Sequence, residues 1–127
     1  MEKPMISHMD HVVLTVRDID KSAQFFARVL GMEIIEFGEG RKAVAFGNQK
    51  INLQTLGMET LNYAGIGSGD ICLITQWSME EVVSHFDSEN VKIIEGPINR
   101  SGAAGQILSV YFNDLDGNLI EVASYDF

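Results

Sequence analysis

Positive charge is scarce in this chain. Nine Lys and Arg residues stand against 18 Asp and Glu in 127 positions, a formal net charge of −9. That balance repels nucleic acid and anionic lipid, and no Lys/Arg cluster offers a local exception. Long apolar runs are missing as well; none approaches the roughly 20 residues of a membrane span. The opening Met1-Glu-Lys-Pro-Met-Ile-Ser7 contains no apolar signal-peptide core and reads as a loose arm. A single cysteine, Cys72, excludes an internal disulfide and agrees with a cytoplasmic setting. Lying in an apolar strand, it reads as a small core residue. These absences leave a small molecule or a protein as the partner, and an anionic substrate would need a local cation or backbone donors.

Hydrophobic residues at 46% and charged residues at 21% are ordinary for one globular domain with one core. The chain repeats itself. Shifted by 59 positions, Asp70-Ile-Cys-Leu-Ile-Thr75 falls on His11-Val-Val-Leu-Thr-Val16, and Asn90-Val-Lys-Ile-Ile94 on Gly31-Met-Glu-Ile-Ile35. Further on, Ser109–Asp114 echoes Ala43–Asn48, and Asn118-Leu-Ile-Glu121 echoes Ile51-Asn-Leu-Gln54.

Each half reads strand, helix, strand, strand, strand. Apolar, β-branched runs predict strands over 11–16, 32–37, 41–46 and 50–56, then 70–75, 91–95, 107–112 and 118–123. Asp18 or Asp20 caps a first helix, whose stripe is Ile19, Ala23, Phe26, Ala27 and Leu30, and Gly31 ends it. Ser78 and Glu81 form a capping box for the second, and Trp77 packs that helix. Gly57–Gly69 reads as the linker, Gly96-Pro97 breaks a strand, and Ile98–Gly105 reads as a loop. The fold class expected is α+β: two tandem βαβββ modules (8–56 and 70–124, one domain over 8–124) forming a curved mixed sheet or trough with helices outside.

Four polar residues interrupt apolar strands at equivalent repeat positions: His11, Gln54, Asp70 and Glu121. If the halves pair about a pseudo-twofold axis, His11 meets Asp70 and Gln54 meets Glu121. Two carboxylates brought together need protons or a cation, and a divalent metal is the simplest cation. Imidazole with oxygen ligands suits Zn, Ni, Mn, Co or Fe(II). Glu121 can also serve as general base. Taken singly, a His at a strand start or a Gln or Asp at a strand end has an ordinary structural reading. Glu121, isolated in Leu119-Ile-Glu-Val-Ala123, is harder to dismiss, because an unpaired buried carboxylate is rare. His8 is a lesser candidate than His11, since it precedes the strand. In the loop, Arg100 is placed to clamp a carboxylate or phosphonate, with glycine N–H groups as an anion cradle.

The duplicated unit, the Asp10-His11-Val-Val-Leu-Thr-Val opening and the closing Tyr111-Phe-Asn-Asp-Leu-Asp-Gly-Asn-Leu-Ile-Glu121 resemble the vicinal oxygen chelate superfamily. Arg41–Leu53, Gly69–Thr75 and Gly96–Gly105 look like its glyoxalase domain-containing protein 5 subgroup. The resemblance carries metal positions onto His11, Gln54, Asp70 and Glu121, and substrate positions onto Arg100, Ser109, Tyr111 and Asn52. It implies a divalent metal, a small-molecule substrate and a homodimer, in which the ligands come from one chain or two. It implies a lyase, isomerase or thiol transferase of the glyoxalase type, with Glu121 moving the proton. The alternative is a metal-free protein that sequesters a small molecule, as bleomycin-binding relatives do. A third reading, extradiol dioxygenase, is disfavoured because Asp70 stands where a second His is expected.

Overall fold

The computed structural model describes residues 3–127. Of the expected arm, residues 3–7 are exposed and irregular, and residues 1 and 2 lie outside the described residues. The first module comprises β1 (His11–Thr15), α1 (Ile19–Leu30), β2 (Glu33–Phe37), β3 (Arg41–Phe46) and β4 (Gln49–Gln54). The second comprises β5 (Asp70–Ile74), α2 (Met79–Ser88), β6 (Glu95–Gly102), β7 (Gly105–Asn113) and β8 (Leu119–Ser124). The βαβββ duplication is therefore present, and the chain is an α+β fold. No helix among the described residues is long and apolar enough to cross a membrane.

Local signals set the helix limits. Asp18 accepts a hydrogen bond from Lys21 N, and Gly31, at φ 68°, donates its N–H to the Ala27 and Phe26 carbonyls. Ser78 and Glu81 form the reciprocal capping box of α2. Each module builds a four-stranded mixed sheet, in the orders β1-β4-β3-β2 and β5-β8-β7-β6. The parallel pairs β1–β4 and β5–β8 are followed by antiparallel hairpins, and β1 and β5 are edge strands.

One segment departs from the sequence reading. The strand expected over 91–95 is irregular up to Ile94, and the expected loop 98–105 is instead strand β6 turning tightly through Ala103-Ala104 into β7. Gly96 and Pro97 form a bulge in β6 rather than its end. Gly96 has φ 105°, and a Cβ there would lie 2.3 Å from the Ser109 carbonyl oxygen, so only glycine fits this bulge. The glycine-rich stretch that suggests an anion cradle is a hairpin turn.

Both modules share one core. Phe112 of β7 is fully buried, with its ring 4.9 Å from Phe86 of α2 and 6.2 Å from Phe25 of α1. The β7–β8 turn pins the seam. Asp116 Oδ1 accepts from the backbone and guanidinium of Arg17, and Asn118 Oδ1 accepts from Gly69 N at 2.7 Å. Asp114 in turn accepts from the amides of Asp116 and Asn118, so the buried carboxylates are satisfied.

Replacing Phe112 by Ala removes the ring common to both modules and should cost about 3–5 kcal/mol in urea unfolding; a loss below about 1 kcal/mol would show that the modules do not share this core. Asp116→Ala strands the Arg17 amide and should cost about 1–3 kcal/mol by the same measurement.

Candidate functional site

Strand alternation sends Val12, Leu14, Ile71 and Leu73 to the core and their neighbours to the opposite, helix-free face. The register places His11, Val13 and Thr15 beside Lys50, Asn52 and Gln54, with Arg41, Ala43 and Ala45 on β3 and Glu33, Ile35 and Phe37 on β2. On the second sheet the same face carries Asp70, Cys72, Ile74, Leu119, Glu121, Ser109, Tyr111, Glu95 and Arg100.

His11 opens β1, where its side chain is 43% exposed, and its Nδ1 donates to Asp10 Oδ1 at 2.8 Å. An ionised carboxylate only accepts, so Nδ1 carries the proton and the Nε2 lone pair is left for a ligand. The His11 bond holds the Asp10 carboxyl below its ordinary value. Glu121 sits mid-strand in β8, where the buried Ser109 hydroxyl donates to its Oε2 at 2.6 Å. Tyr111 and Cys72 flank it in register. Arg100 Nε donates to the Tyr111 hydroxyl at 3.1 Å and Nη2 to Glu95 Oε2 at 2.7 Å. Burial raises the Tyr111 phenol above its usual range, so it stays protonated.

Two sequence expectations change here. Cys72 is exposed and is not a core residue, because it shares strand parity with Asp70. Desolvation first, then the Glu121 charge and hydrogen bond and the Asp70 charge, push its thiol up to about 11. Gln54 is not the counterpart of Glu121. His11 pairs with Lys50 as Asp70 pairs with Leu119, so two residues on, Asn52 takes the position of Glu121. Gln54 lies beyond, buried, with its Nε2 donating to Thr15 Oγ1 at 3.0 Å. Asn52 is buried too, and its Oδ1 has no hydrogen-bond partner among the described residues.

The expected meeting of all four polar residues does not occur in one chain. Among the described residues, no three His, Cys, Asp or Glu side chains gather closely enough to hold a metal ion. His11 and Asn52 lie on the first sheet, and Asp70 and Glu121 on the second. The other histidines are elsewhere: His8 bonds Ser7, and His85 lies against the Val29 carbonyl, with the Trp77 ring 5.6 Å away. Sequence reasoning missed Arg41 and Lys50, which both stack on the Phe37 ring. Their common strand parity is the only signal that could have found them.

Glyoxalase domain-containing protein RDO1 of Mycosarcoma maydis is 43% identical over 123 residues, 94% of this chain and 69% of that protein. Virulence protein STM3117 of Salmonella typhimurium is 44% identical over 124 residues, 95% of this chain and 86% of that protein. The solved structure of an integron cassette protein from the mobile metagenome of V. cholerae shares 47% identity, covers 98% of this chain and 100% of its own, and superposes with a TM-score of 0.91. A family model described as Glyoxalase/Bleomycin resistance protein/Dioxygenase superfamily matches residues 8–122, and the chain belongs to that superfamily.

Proposed function

We propose that this chain is a metal-dependent lyase, isomerase or transferase of the glyoxalase type, acting on a small oxygenated molecule, with its site assembled between two copies. The observation that carries this reading is Glu121, a carboxylate in an apolar strand, held by Ser109 and flanked by Tyr111 and Cys72. A carboxylate so placed can hold a cation or move a proton.

The donor set suits a divalent ion, whether Zn, Ni, Mn, Co or Fe: a lone-pair imidazole nitrogen and oxygen donors. His11, Asp70 and Glu121 would hold it, and Asn52 offers an orphan oxygen to the metal or to substrate. Bound there, the ion would supply Lewis-acid polarisation of a substrate oxygen. The chain's own groups do the rest. Glu121 takes a proton from the polarised substrate and returns it, Ser109 fixes the carboxylate's orientation, and Tyr111 and Arg100 orient the substrate.

A homodimer joins the half-sites. β1 and β5 are edge strands, and Val13, Ile74 and Trp77 beside them are exposed by 43%, 54% and 51%. Edges of this kind invite a partner strand. The separation of the half-sites within one chain favours a second reading, metal-free binding of a small molecule in the same groove. The extradiol dioxygenase reading loses support, since His11 is the one histidine on the helix-free face among the described residues.

Protein purified without chelator or a nickel column should carry near-stoichiometric metal by elemental analysis, and Glu121→Gln should lose it. If both stay metal-free after incubation with Ni, Zn, Mn and Fe(II), the second reading replaces the first. Mixing His11→Ala with Glu121→Gln separates one-chain from two-chain sites. Subunit exchange should restore about one quarter of wild-type metal, because each mixed dimer then keeps one intact site; no recovery despite exchange would place the site within a chain. In chelator-treated protein at pH 8, Glu121→Gln should speed iodoacetamide alkylation of Cys72 about threefold or more, as the thiol is released from the neighbouring charge. An unchanged rate would mean that Glu121 does not face the thiol.

A further inference from the structure

The helix-free face of the first sheet carries a second feature that the proton chemistry does not use. Four of the chain's cations, Arg17, Arg28, Lys42 and Arg100, each face a carboxylate. Arg41 and Lys50 do not form ion pairs among the described residues, although acidic residues outnumber basic ones two to one. Both turn to one aromatic ring instead: Arg41 Cζ lies 4.8 Å and Lys50 Nζ 3.6 Å from the centroid of Phe37.

The register explains how they meet. Phe37 is on β2 and Lys50 on β4, with β3 between them. On this face β3 presents only Ala43 and Ala45 beyond Arg41, small side chains over which Lys50 can reach toward the ring. Ala43 and Asn52, adjacent in register, are 0% and 4% exposed although no helix covers them. Asn52 Oδ1 is buried without a donor among the described residues. The carboxylates on the same side are Glu33, on the outer strand β2, and Asp10, which is bound to His11 and lies within the field of Lys50.

Two cations outside any ion pair and one buried acceptor without a donor therefore share this face. We propose that Arg41 and Lys50 form an anion subsite at the rim of Phe37. Its ligand carries a carboxylate with a hydroxyl on the adjacent carbon, a small 2-hydroxy acid or a larger molecule bearing that group. The carboxylate accepts from Arg41 and Lys50, and the hydroxyl donates to Asn52 Oδ1 once the side chains covering it turn aside. This rests on the reading above only in taking the same face as the binding face, and it holds with or without metal at Glu121.

Glycolate and acetate serve as probes, titrated into chelator-treated full-length protein at constant ionic strength and followed by amide and side-chain NMR shifts. Glycolate should bind saturably at residues around Phe37 and about threefold or more tighter than acetate, the gain of one hydrogen bond. Arg41→Gln and Lys50→Gln, both on exposed or half-buried side chains, should each weaken glycolate about fivefold or more, while Lys92→Gln should not. Asn52→Ala should abolish the preference for glycolate over acetate and leave acetate binding unchanged. Shifts that never saturate, or that respond equally to Lys92→Gln, would overturn the subsite. A glycolate preference that persists in Asn52→Ala would overturn the assignment of Asn52 to the ligand hydroxyl. Failure of metal binding in wild type tests the reading above and leaves these outcomes distinct from it.

Discussion

Everything in this molecule follows from the fully buried ring of Phe112, wedged between Phe86 of α2 and Phe25 of α1. Because one ring packs on helices from both modules, the two sheets share a core on their helical sides. Their other faces are then turned away from that core, and among the described residues β1 and β5 each pair on one edge only. The same packing that stabilises the monomer keeps His11 apart from Glu121. Stability and an assembled polar site make opposing demands here, and the proposed homodimer would satisfy both.

Charge is divided between those faces in a way that neither sheet can satisfy alone. The first sheet gathers His11, Arg41 and Lys50 against Glu33. The second gathers Asp70, Glu121 and Glu95 against Arg100. The effect is visible at Cys72, whose thiol is driven up to about 11 by desolvation and by carboxylates on either side. A surface that disfavours one more negative charge favours a cation or a positively charged partner surface. In the proposed homodimer, complementarity of this kind would set the basic face of one copy against the acidic face of the other.

Much of the fold was legible because period-two and helical patterns, the Asp18 and Ser78 caps and Gly31 all act locally. The segment 91–105 was not, because Gly96-Pro97 looks like a strand end and only cross-strand contact with Ser109 reveals a bulge. The site was legible in part. His11, Asp70 and Glu121 stand on the face that strand parity assigns them. Gln54 was misaligned because Ile51-Asn-Leu-Gln54 and Asn118-Leu-Ile-Glu121 look alike letter by letter, whereas the register shifts the true match to Asn52. Sequence similarity weighs side chains, but strand pairing is set by backbone hydrogen bonds and turn length. The β7–β8 connection, Asp114 to Asn118, is longer than the Asn48 region joining β3 to β4, and that difference moves the frame. Cys72 was misread because an apolar strand in sequence says nothing about which of its two faces is covered.

The corrected alignment has a chemical consequence. Duplication first makes two equal halves, and here the matched positions have become a carboxamide, Asn52, and a carboxylate, Glu121. A carboxamide does not take up a proton near neutral pH, so only one of these two matched positions can serve as a base. Chemistry in which one group removes a proton from one side of a carbon and a second delivers it from the other has no second group at these two positions. A transfer in which Glu121 lifts a proton and returns it to a neighbouring atom needs only that residue, held by Ser109 so that it can reach both atoms. The carboxamide position is then free for recognition. Under the proposed chemistry the loss of symmetry divides the labour between the halves: the second sheet would move the proton, and the first would hold what the proton is moved on.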